Sequence, residues 1–364
     1  MKNKKIIATG IMAAALLPVL YLLFIRSQVI PAVEGKAVSW FQFMIDSLYP
    51  RLATESHRFP AEFFLQKADQ VILRFSLIML GISLFSWVYN SKDELRSNVH
   101  IYFEKQISVK NASYLIFFIY LYLLYTSWDI YMEYLLLIGI SDFYTPIFPF
   151  KYLYPNFPSP LFTGIVFGLF VLSCLLSAFK IKPLLSSIAA ILTFTFLYSI
   201  RMGFEKIDHG FTTILYALLL LPFLMYAFEK AKKNKSDLVE AWSIQLIKVI
   251  IPMCYFMAAL EKLLTSGIWW LKADNFKTLL YINQQPLGLL IMKSTILCTL
   301  FPLVAWLFQI SFISVLKWPK LIPYFLITGI LFHQGTYFLF GAGDPFTPWI
   351  AVYVFFLPGL HDES

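Results

Sequence analysis

The sequence is poor in charged residues. Only 14% of its 364 residues are charged, whereas 59% are hydrophobic, and the mean hydropathy is +0.71. A water-soluble domain carries roughly 25% charged residues. This shortage excludes a predominantly soluble protein. Several apolar runs reach the roughly 20 residues that a helix needs to cross about 30 Å of hydrocarbon.

Signatures of several enzyme and metal-site classes are also missing. The sequence has no glycine-rich phosphate-binding loop, no Gly-x-Ser-x-Gly, no His-Glu-x-x-His and no pair of histidines at haem-like positions. Its three cysteines, Cys174, Cys254 and Cys298, lie inside apolar runs without a Cys-x-x-Cys pair, so they are interpreted as packing residues. These absences argue against nucleotide hydrolysis, metal-dependent proteolysis and a bound metal.

Nine apolar runs predict an all-α, polytopic, integral membrane helical bundle of about nine transmembrane helices. They are residues 5–25, 71–89, 114–138, 161–179, 183–200, 211–228, 246–264, 287–316 and 322–340. A tenth stretch, 349–357, is too short to span alone. It is interpreted as a re-entrant piece or as the end of a helix broken at 341–348. The expected number of transmembrane helices is therefore eight to ten.

The distribution of lysine and arginine predicts the orientation of the chain. The first apolar run is long and no small-x-small cleavage site lies at its far end before Arg26, so we expect a retained helix rather than a signal peptide. With nine helices the richest basic clusters fall on one side, which the positive-inside bias assigns to the cytoplasm. These clusters are Lys2, Lys4 and Lys5; Lys92, Arg96, Lys105 and Lys110; Lys180 and Lys182; Lys230, Lys232, Lys233 and Lys235; and Lys317 and Lys320. The N-terminus is expected in the cytoplasm and the protein in the cell (inner) membrane.

The remaining loops are assigned to the opposite face. They are residues 26–70, 139–160, 201–210 and 265–286. The net charge of +8 is accounted for by the loops that the positive-inside bias populates, so no nucleic-acid partner is expected. No internal repeat or linker delimits a second domain. Residues 1–364 are therefore predicted to form a single membrane domain with no separate soluble domain.

Ionisable residues inside the apolar runs are the candidates for function, because each costs roughly 2.5 to 3.5 kcal/mol at a helix centre. Lys248 and Lys262 lie about 21 Å apart along one helix. Lys248 is assigned to the cytoplasmic end, where its ammonium group can snorkel, so Lys262 lies toward the outer leaflet. A lysine acts as a base near neutral pH only where burial disfavours its ammonium form. The alternative is that Glu261 and Lys262 mark a snorkelling helix end before Trp269 and Trp270.

Two histidines complete the candidate site. His209 follows Asp208 at the start of the sixth run, where the carboxylate can cap the helix and the imidazole can relay a proton or hold a substrate oxygen. A plain interfacial histidine is the alternative. His333 lies about halfway along the ninth run, where imidazole is costly without a partner such as Gln334 or Tyr337. A satisfied structural histidine is its alternative. His209, Lys262 and His333 are expected to line a cavity that opens outward.

Three short patterns carry a family resemblance. Tyr255-Phe256 is followed by small residues, by Lys262-Leu263 and by Trp269-Trp270. This pattern resembles a helix of the horizontally transferred transmembrane (HTTM) domain, which is shared with vitamin K-dependent gamma-carboxylase. Asp208-His209-Gly210-Phe211, and Phe332-His333 with the later Pro348-Trp349, resemble two further regions of that family in the same order. The resemblance covers residues 71–357 loosely.

The resemblance implies a role for Lys262. In the carboxylase the matching lysine deprotonates vitamin K hydroquinone, whose oxygenation generates the stronger base that removes a glutamate γ-proton before carbon dioxide adds. Two departures limit the transfer. Glu261 stands where the carboxylase has the first of two adjacent lysines, and its charge favours an ammonium group beside it. No counterpart of the carboxylase's large soluble lumenal domain is expected, so protein glutamate carboxylation is not carried over.

Two classes of function therefore stay open. The first is quinol-dependent or base-dependent chemistry on a small molecule, a lipid or an exported peptide, with a reduced quinone of the vitamin K or menaquinone type as cofactor. The second is a non-enzymatic membrane component of peptide or toxin maturation, export or immunity, as in the sporulation-delaying toxin system, whose membrane protein resembles this family. A transporter is disfavoured, because neither an inverted repeat nor paired broken helices are visible.

Overall fold

The protein is an all-α, multi-pass membrane bundle. The computed structural model describes residues 2–49, 51–204, 210–343 and 346–357. Within them, eight helical stretches are long and apolar enough to cross a membrane, so a lipid bilayer is the environment of the chain. They are Thr9–Val33, Ala61–Ser91, Val109–Phe143, Pro160–Ala178, Pro183–Met202, Thr212–Lys233, Trp242–Leu271 and Thr295–Leu316. The fold class predicted from the apolar runs is confirmed.

Sixteen α-helices and two short strands make up the described regular structure, together with 3₁₀ and π turns. The helices are α1 (Lys2–Leu20), α2 (Arg26–Val33), α3 (Ser39–Leu48), α4 (Leu52–Glu55), α5 (Ala61–Ser91), α6 (Asp93–Phe103), α7 (Val109–Leu137), α8 (Pro160–Ala178), α9 (Pro183–Met202), α10 (Thr212–Lys233), α11 (Trp242–Ser266), α12 (Ala273–Asn283), α13 (Pro286–Met292), α14 (Thr295–Ser311), α15 (Ile322–Phe340) and α16 (Pro348–Ala351). The strands are β1 (Gln106–Ser108) and β2 (Leu238–Glu240).

The ninth predicted helix exists as α15, which has 19 residues. A helix of that length rises about 28 Å, nearly the thickness of the hydrocarbon core. It is not among the eight most apolar stretches, because His333 and Gln334 interrupt its apolar residues. With α15 the bundle has nine helices of membrane-spanning length among the described residues.

The prediction that residues 287–316 form a single helix was wrong. The structure ends α13 at Met292 and begins α14 at Thr295. Ser294 caps the new helix, since its Oγ accepts a hydrogen bond from the backbone N–H of Leu297 at 3.3 Å. The break therefore comes from one polar turn inside an otherwise apolar run.

The prediction of a loop at residues 26–70 was also wrong, because most of this segment is helical. It contains α2, α3 and α4, and α5 begins at Ala61, ahead of the expected start at residue 71. Polar residues such as Lys67 and Asp69 lower the hydropathy at the beginning of α5, so the predicted apolar run starts later than the helix does. Such residues suit a helix that projects beyond the hydrocarbon. The first helix likewise continues beyond its expected end at residue 25, because the π-helical turn Tyr21–Ile25 joins α1 to α2, which ends at Val33.

Contacts divide the chain into two compact units, and the first comprises Met1–Tyr102, Glu133–Phe162 and Tyr198–Lys206. Its centre is a hairpin of α1 and α5. Gly10 lies against Ser83, and a Cβ on this glycine would come within 2.4 Å of the serine Oγ. Farther along the hairpin, Arg26 Nε pairs with Asp69 Oδ1 at 3.1 Å. Close backbone packing thus holds α1 against α5, and the ion pair joins α2 to α5.

The second unit comprises Phe103–Met132, Thr163–Leu197 and Ile207–Ser364. Its strands β1 and β2 pair antiparallel, with Ile107 opposite Val239. Polar links lie within its core as well, since the buried Tyr120 donates to Ser187 Oγ at 2.7 Å. Helix α11 contacts α10, α14 and the 3₁₀ turn Val352–Phe356. This helix carries Lys262.

The last described segment, 346–357, turns back along α15. The rings of Trp349 and His333 stack with centroids 5.7 Å apart. Tyr353 lies against Gly329, where a Cβ on the glycine would come within 2.0 Å of the tyrosine Oη. Since the segment advances from residue 349 to 353 while its contacts on α15 recede from 333 to 329, the two run antiparallel. Both interpretations given from the sequence, a re-entrant piece and the end of a broken helix, stay predictions.

Candidate functional site

Lys262 lies one turn before the end of α11 and reaches toward α14. Its Nζ donates a hydrogen bond to Oε1 of the buried Gln309 and lies 5.4 Å from the ring centroid of Trp270. One turn earlier on the same face, Ala259 has no exposed surface. The carbonyl of Ala259 accepts a hydrogen bond from Trp306 Nε1 at 3.2 Å. The small side chain of Ala259 thus lets α14 approach closely enough to place an amide beside the lysine.

The neighbouring Glu261 does not pair with Lys262. Its Oε1 accepts a hydrogen bond from Thr265 Oγ1, one turn later in the same helix, at 2.8 Å. Among the described residues, no carboxylate lies within ion-pair distance of Lys262 Nζ. The described neighbours of the Lys262 amine are therefore a neutral amide and an indole ring.

His333 has a partner that was not predicted. Its Nε2 lies 2.6 Å from the hydroxyl of Tyr255 on α11, and that hydroxyl lies 2.5 Å from the hydroxyl of Tyr353. The suggestion of Gln334 or Tyr337 as the partner of His333 was wrong, because the imidazole faces α11. His333, Tyr255 and Tyr353, hereafter the polar triad, are all buried.

Aromatic rings enclose the polar triad. Trp349 stacks on His333 and also meets the Tyr255 ring edge-on, with centroids 4.9 Å apart. Three phenylalanines lie around the same groups, Phe308, Phe312 and Phe332. Buried polar groups need partners in apolar surroundings, and here they supply them to one another. The triad forms a hydrogen-bonded chain inside an apolar shell.

Helix α11 connects the triad with Lys262. Tyr255, Ala259 and Lys262 follow the spacing i, i+4, i+7, which places them on one face of the helix. Tyr255 and Lys262 are therefore about 10 Å apart along the helix axis. Within the described parts of the chain, no hydrogen bond or ring contact joins Lys262 directly to His333.

Two other residues complete the comparison with the sequence prediction. His209, with Asp208, lies outside the described residues, so its expected place beside Lys262 and His333 stays a prediction. Lys248 was expected to snorkel, which was wrong, because only 3% of its surface is exposed. It lies on a turn of α11 whose neighbouring Ile247 and Ile251 are also buried.

The sequence analysis gave no site role to Tyr255, Tyr353 or Gln309, although Tyr255 begins the pattern that resembles the HTTM domain. A weak signal existed for Gln309, because it is an amide inside an apolar run. For metal ions, no group of three His, Cys, Asp or Glu side chains in the described chain is arranged to hold one.

Comparison of the chain with protein-family models, with curated proteins and with solved structures gives no match. The fold and the site define the class on their own. This is a multi-pass membrane protein whose helices hold a half-buried lysine against a buried amide and bury a histidine–tyrosine chain.

Proposed function

We propose that this protein is an HTTM-type membrane enzyme in which Lys262 acts as a base on a lipid-soluble quinol. The contact between Lys262 and Gln309 carries the proposal. An amide oxygen accepts a hydrogen bond from an amine and from an ammonium group alike. A carboxylate in its place would hold the proton on the lysine. The neutral partner thus leaves Lys262 able to take up and release a proton.

The surroundings of Lys262 suit a flat, apolar substrate. Trp270 lies beside the amine, and the following turn of α11 exposes the apolar side chains of Leu263 and Leu264. A quinol dissolved in the bilayer carries an aromatic ring and two phenolic hydroxyls. The ring can stack on the indole while one hydroxyl meets the amine.

The proposed step is a proton transfer followed by oxidation. The phenolic O–H bond breaks, the proton goes to Lys262 Nζ, and the electron pair stays on the oxygen as a quinolate. With dioxygen as the oxidant, the quinol loses two electrons and two protons and becomes the quinone. Dioxygen takes them up as hydrogen peroxide. Lys262 returns its proton in that second step and is regenerated.

The experiment compares purified intact protein with Lys262→Ala in lipid nanodiscs. A reduced short-chain menaquinone is added in air, and its oxidation is followed by absorbance. We expect Lys262→Ala to be at least about 100-fold slower, as is usual for loss of an acid–base group. Lys320→Ala, which removes an exposed lysine, is the control and should match the intact protein. Failure of the intact protein to oxidise the quinol would reject this function and favour the non-enzymatic alternative.

A further inference from the structure

A groove adjoins the end of α11, the helix that carries Lys262. It lies between the 3₁₀ turn Gly267–Leu271, the start of α12 and the first turns of α14, and its volume is about 410 Å³. Its lining residues are Ile268, Trp269, Leu271, Lys272, Ala273 and Thr299. The groove is therefore apolar on most sides with one ammonium group and one hydroxyl.

The charge of the groove comes from Lys272. Its Nζ lies 3.3 Å from the ring centroid of Trp269, and in the described chain no carboxylate lies within ion-pair distance of it. Lys277 adds a second ammonium group nearby, since it donates to Thr295 Oγ1 at 2.8 Å and Thr295 is one turn from Thr299 on α14. In the sequence, Asp274 is the acidic residue between the two lysines. Two positive charges and one negative charge leave the net local charge positive.

The predicted membrane orientation does not explain why Lys272 and Lys277 lie at this end of α11. Helix α11 begins after the basic turn 230–235 and β2, and the groove lies at its other end. The positive-inside bias accounts for lysines on the face that carries the basic clusters. It does not account for Lys272 and Lys277, which lie at the opposite end of the helix.

We propose that the groove binds an anionic phospholipid. Lys272 donates to the phosphate of the headgroup, and an acyl chain lies on Ile268, Trp269 and Leu271. Positive side chains near the membrane surface attract anionic lipids, and tryptophan favours the headgroup level. Ile268 is 74% exposed, so the apolar side of the groove faces the lipid.

This site goes beyond the proposed quinol chemistry but adjoins it. Trp269 contacts Lys272, whereas the next residue, Trp270, contacts Lys262. A lipid in the groove would thus contact the turn that carries the indole ring beside the candidate base. Its binding can be measured without any quinol.

The test is native mass spectrometry of the full chain released from detergent. The probes are phosphatidylglycerol and phosphatidylcholine with identical acyl chains. We expect the intact protein to retain phosphatidylglycerol preferentially, and Lys272→Gln to bind it about fivefold more weakly with phosphatidylcholine binding unchanged. Lys320→Gln, which removes an exposed lysine from another part of the chain, should behave as the intact protein.

A second variant fills the groove without changing its charge. Thr299→Trp should also weaken binding of phosphatidylglycerol, and a thermal unfolding midpoint equal to that of the intact protein confirms its folding. Unchanged phosphatidylglycerol binding in both variants would overturn the proposal. So would equal losses of the two lipids in Lys272→Gln, or displacement of the lipid by glycerol phosphate, which would identify a site for a free phosphate. Since these readouts require no turnover, they separate this site from the function of Lys262.

Discussion

At the residue scale, the proposed function makes the contact between Lys262 and Gln309 the one that leaves the lysine able to exchange its proton. Replacing Gln309 by glutamate changes one nitrogen to oxygen and places a carboxylate against the amine. We expect Gln309→Glu to lower quinol oxidation by about 100-fold or more, because the ion pair holds the ammonium form. Steady-state oxidation in nanodiscs measures this effect. The same exchange at the exposed Gln106 of β1 is the control, and full activity of Gln309→Glu would argue against a base.

Tyr255 is the residue that joins the polar triad. Replacing it by phenylalanine keeps the ring but removes the hydroxyl that both His333 and Tyr353 contact. Buried groups left without a partner cost about 1 to 3 kcal/mol, so Tyr255→Phe should lower the free energy of unfolding by that amount. Reversible denaturant unfolding in mixed micelles gives the value. Tyr281→Phe, at an exposed position, should show no loss, and equal stability of the two variants would contradict the account.

The residues of the candidate site differ in how readily the sequence predicts them. Lys262 and His333 stand out because a charged or imidazole side chain is costly in an apolar run. Tyr255 and Tyr353 do not stand out, since the chain has 21 tyrosines and most suit a membrane helix. Their pairing with His333 depends on how the segment 346–357 folds back, which is a tertiary property. For that reason the sequence identified one end of the triad and missed the rest.

At the scale of secondary-structure elements, Gly329 allows the segment 346–357 to pack against α15. A methyl group there would overlap the ring of Tyr353, whose Cζ lies 2.7 Å from the Cβ position. We expect Gly329→Ala to displace the segment and to raise hydrogen exchange at the amides of residues 349–351. Gly335 lies on the same helix with open space around its Cβ position, so Gly335→Ala is the matched control. Equal protection in the two variants would mean that this contact does not hold the segment.

The break between α13 and α14 depends on a single cap. We expect Ser294→Ala to destabilise the protein by about 1 kcal/mol, because α14 loses the oxygen that accepts from the Leu297 amide. Ser294→Asp keeps an acceptor and should retain stability in the same unfolding assay. If alanine and aspartate are equivalent, the cap is not what begins α14. A hydropathy profile did not predict this break, because it averages the polar residues of a single turn with the apolar residues on either side.

At the scale of the whole molecule, the class of fold was predictable from the sequence, because apolar runs of spanning length have few alternatives in a membrane. The helical extensions in the first 70 residues were not, since polar residues that continue a helix beyond the hydrocarbon look like loop in a hydropathy profile. The orientation of the chain rests on lysine bias alone and stays a prediction.

That orientation predicts a labelling pattern in intact cells. After replacement of the three native cysteines, a cysteine at Lys293 should react with a membrane-impermeant maleimide from outside. A cysteine at Lys233 should react only after the cells are permeabilised, because the basic clusters belong to the cytoplasm. Labelling of both positions from outside would contradict the predicted number of crossings between them.

The central claim is that Lys262 takes a proton from a quinol, and an anaerobic difference spectrum tests it most directly. Without dioxygen the reaction stops at the quinolate, which absorbs at longer wavelength than the quinol. Addition of reduced menaquinone to the intact protein in nanodiscs should produce the quinolate band at neutral pH. Lys262→Ala should not produce it. Absence of the band in the intact protein, or an equal band in Lys262→Ala, would contradict the claim.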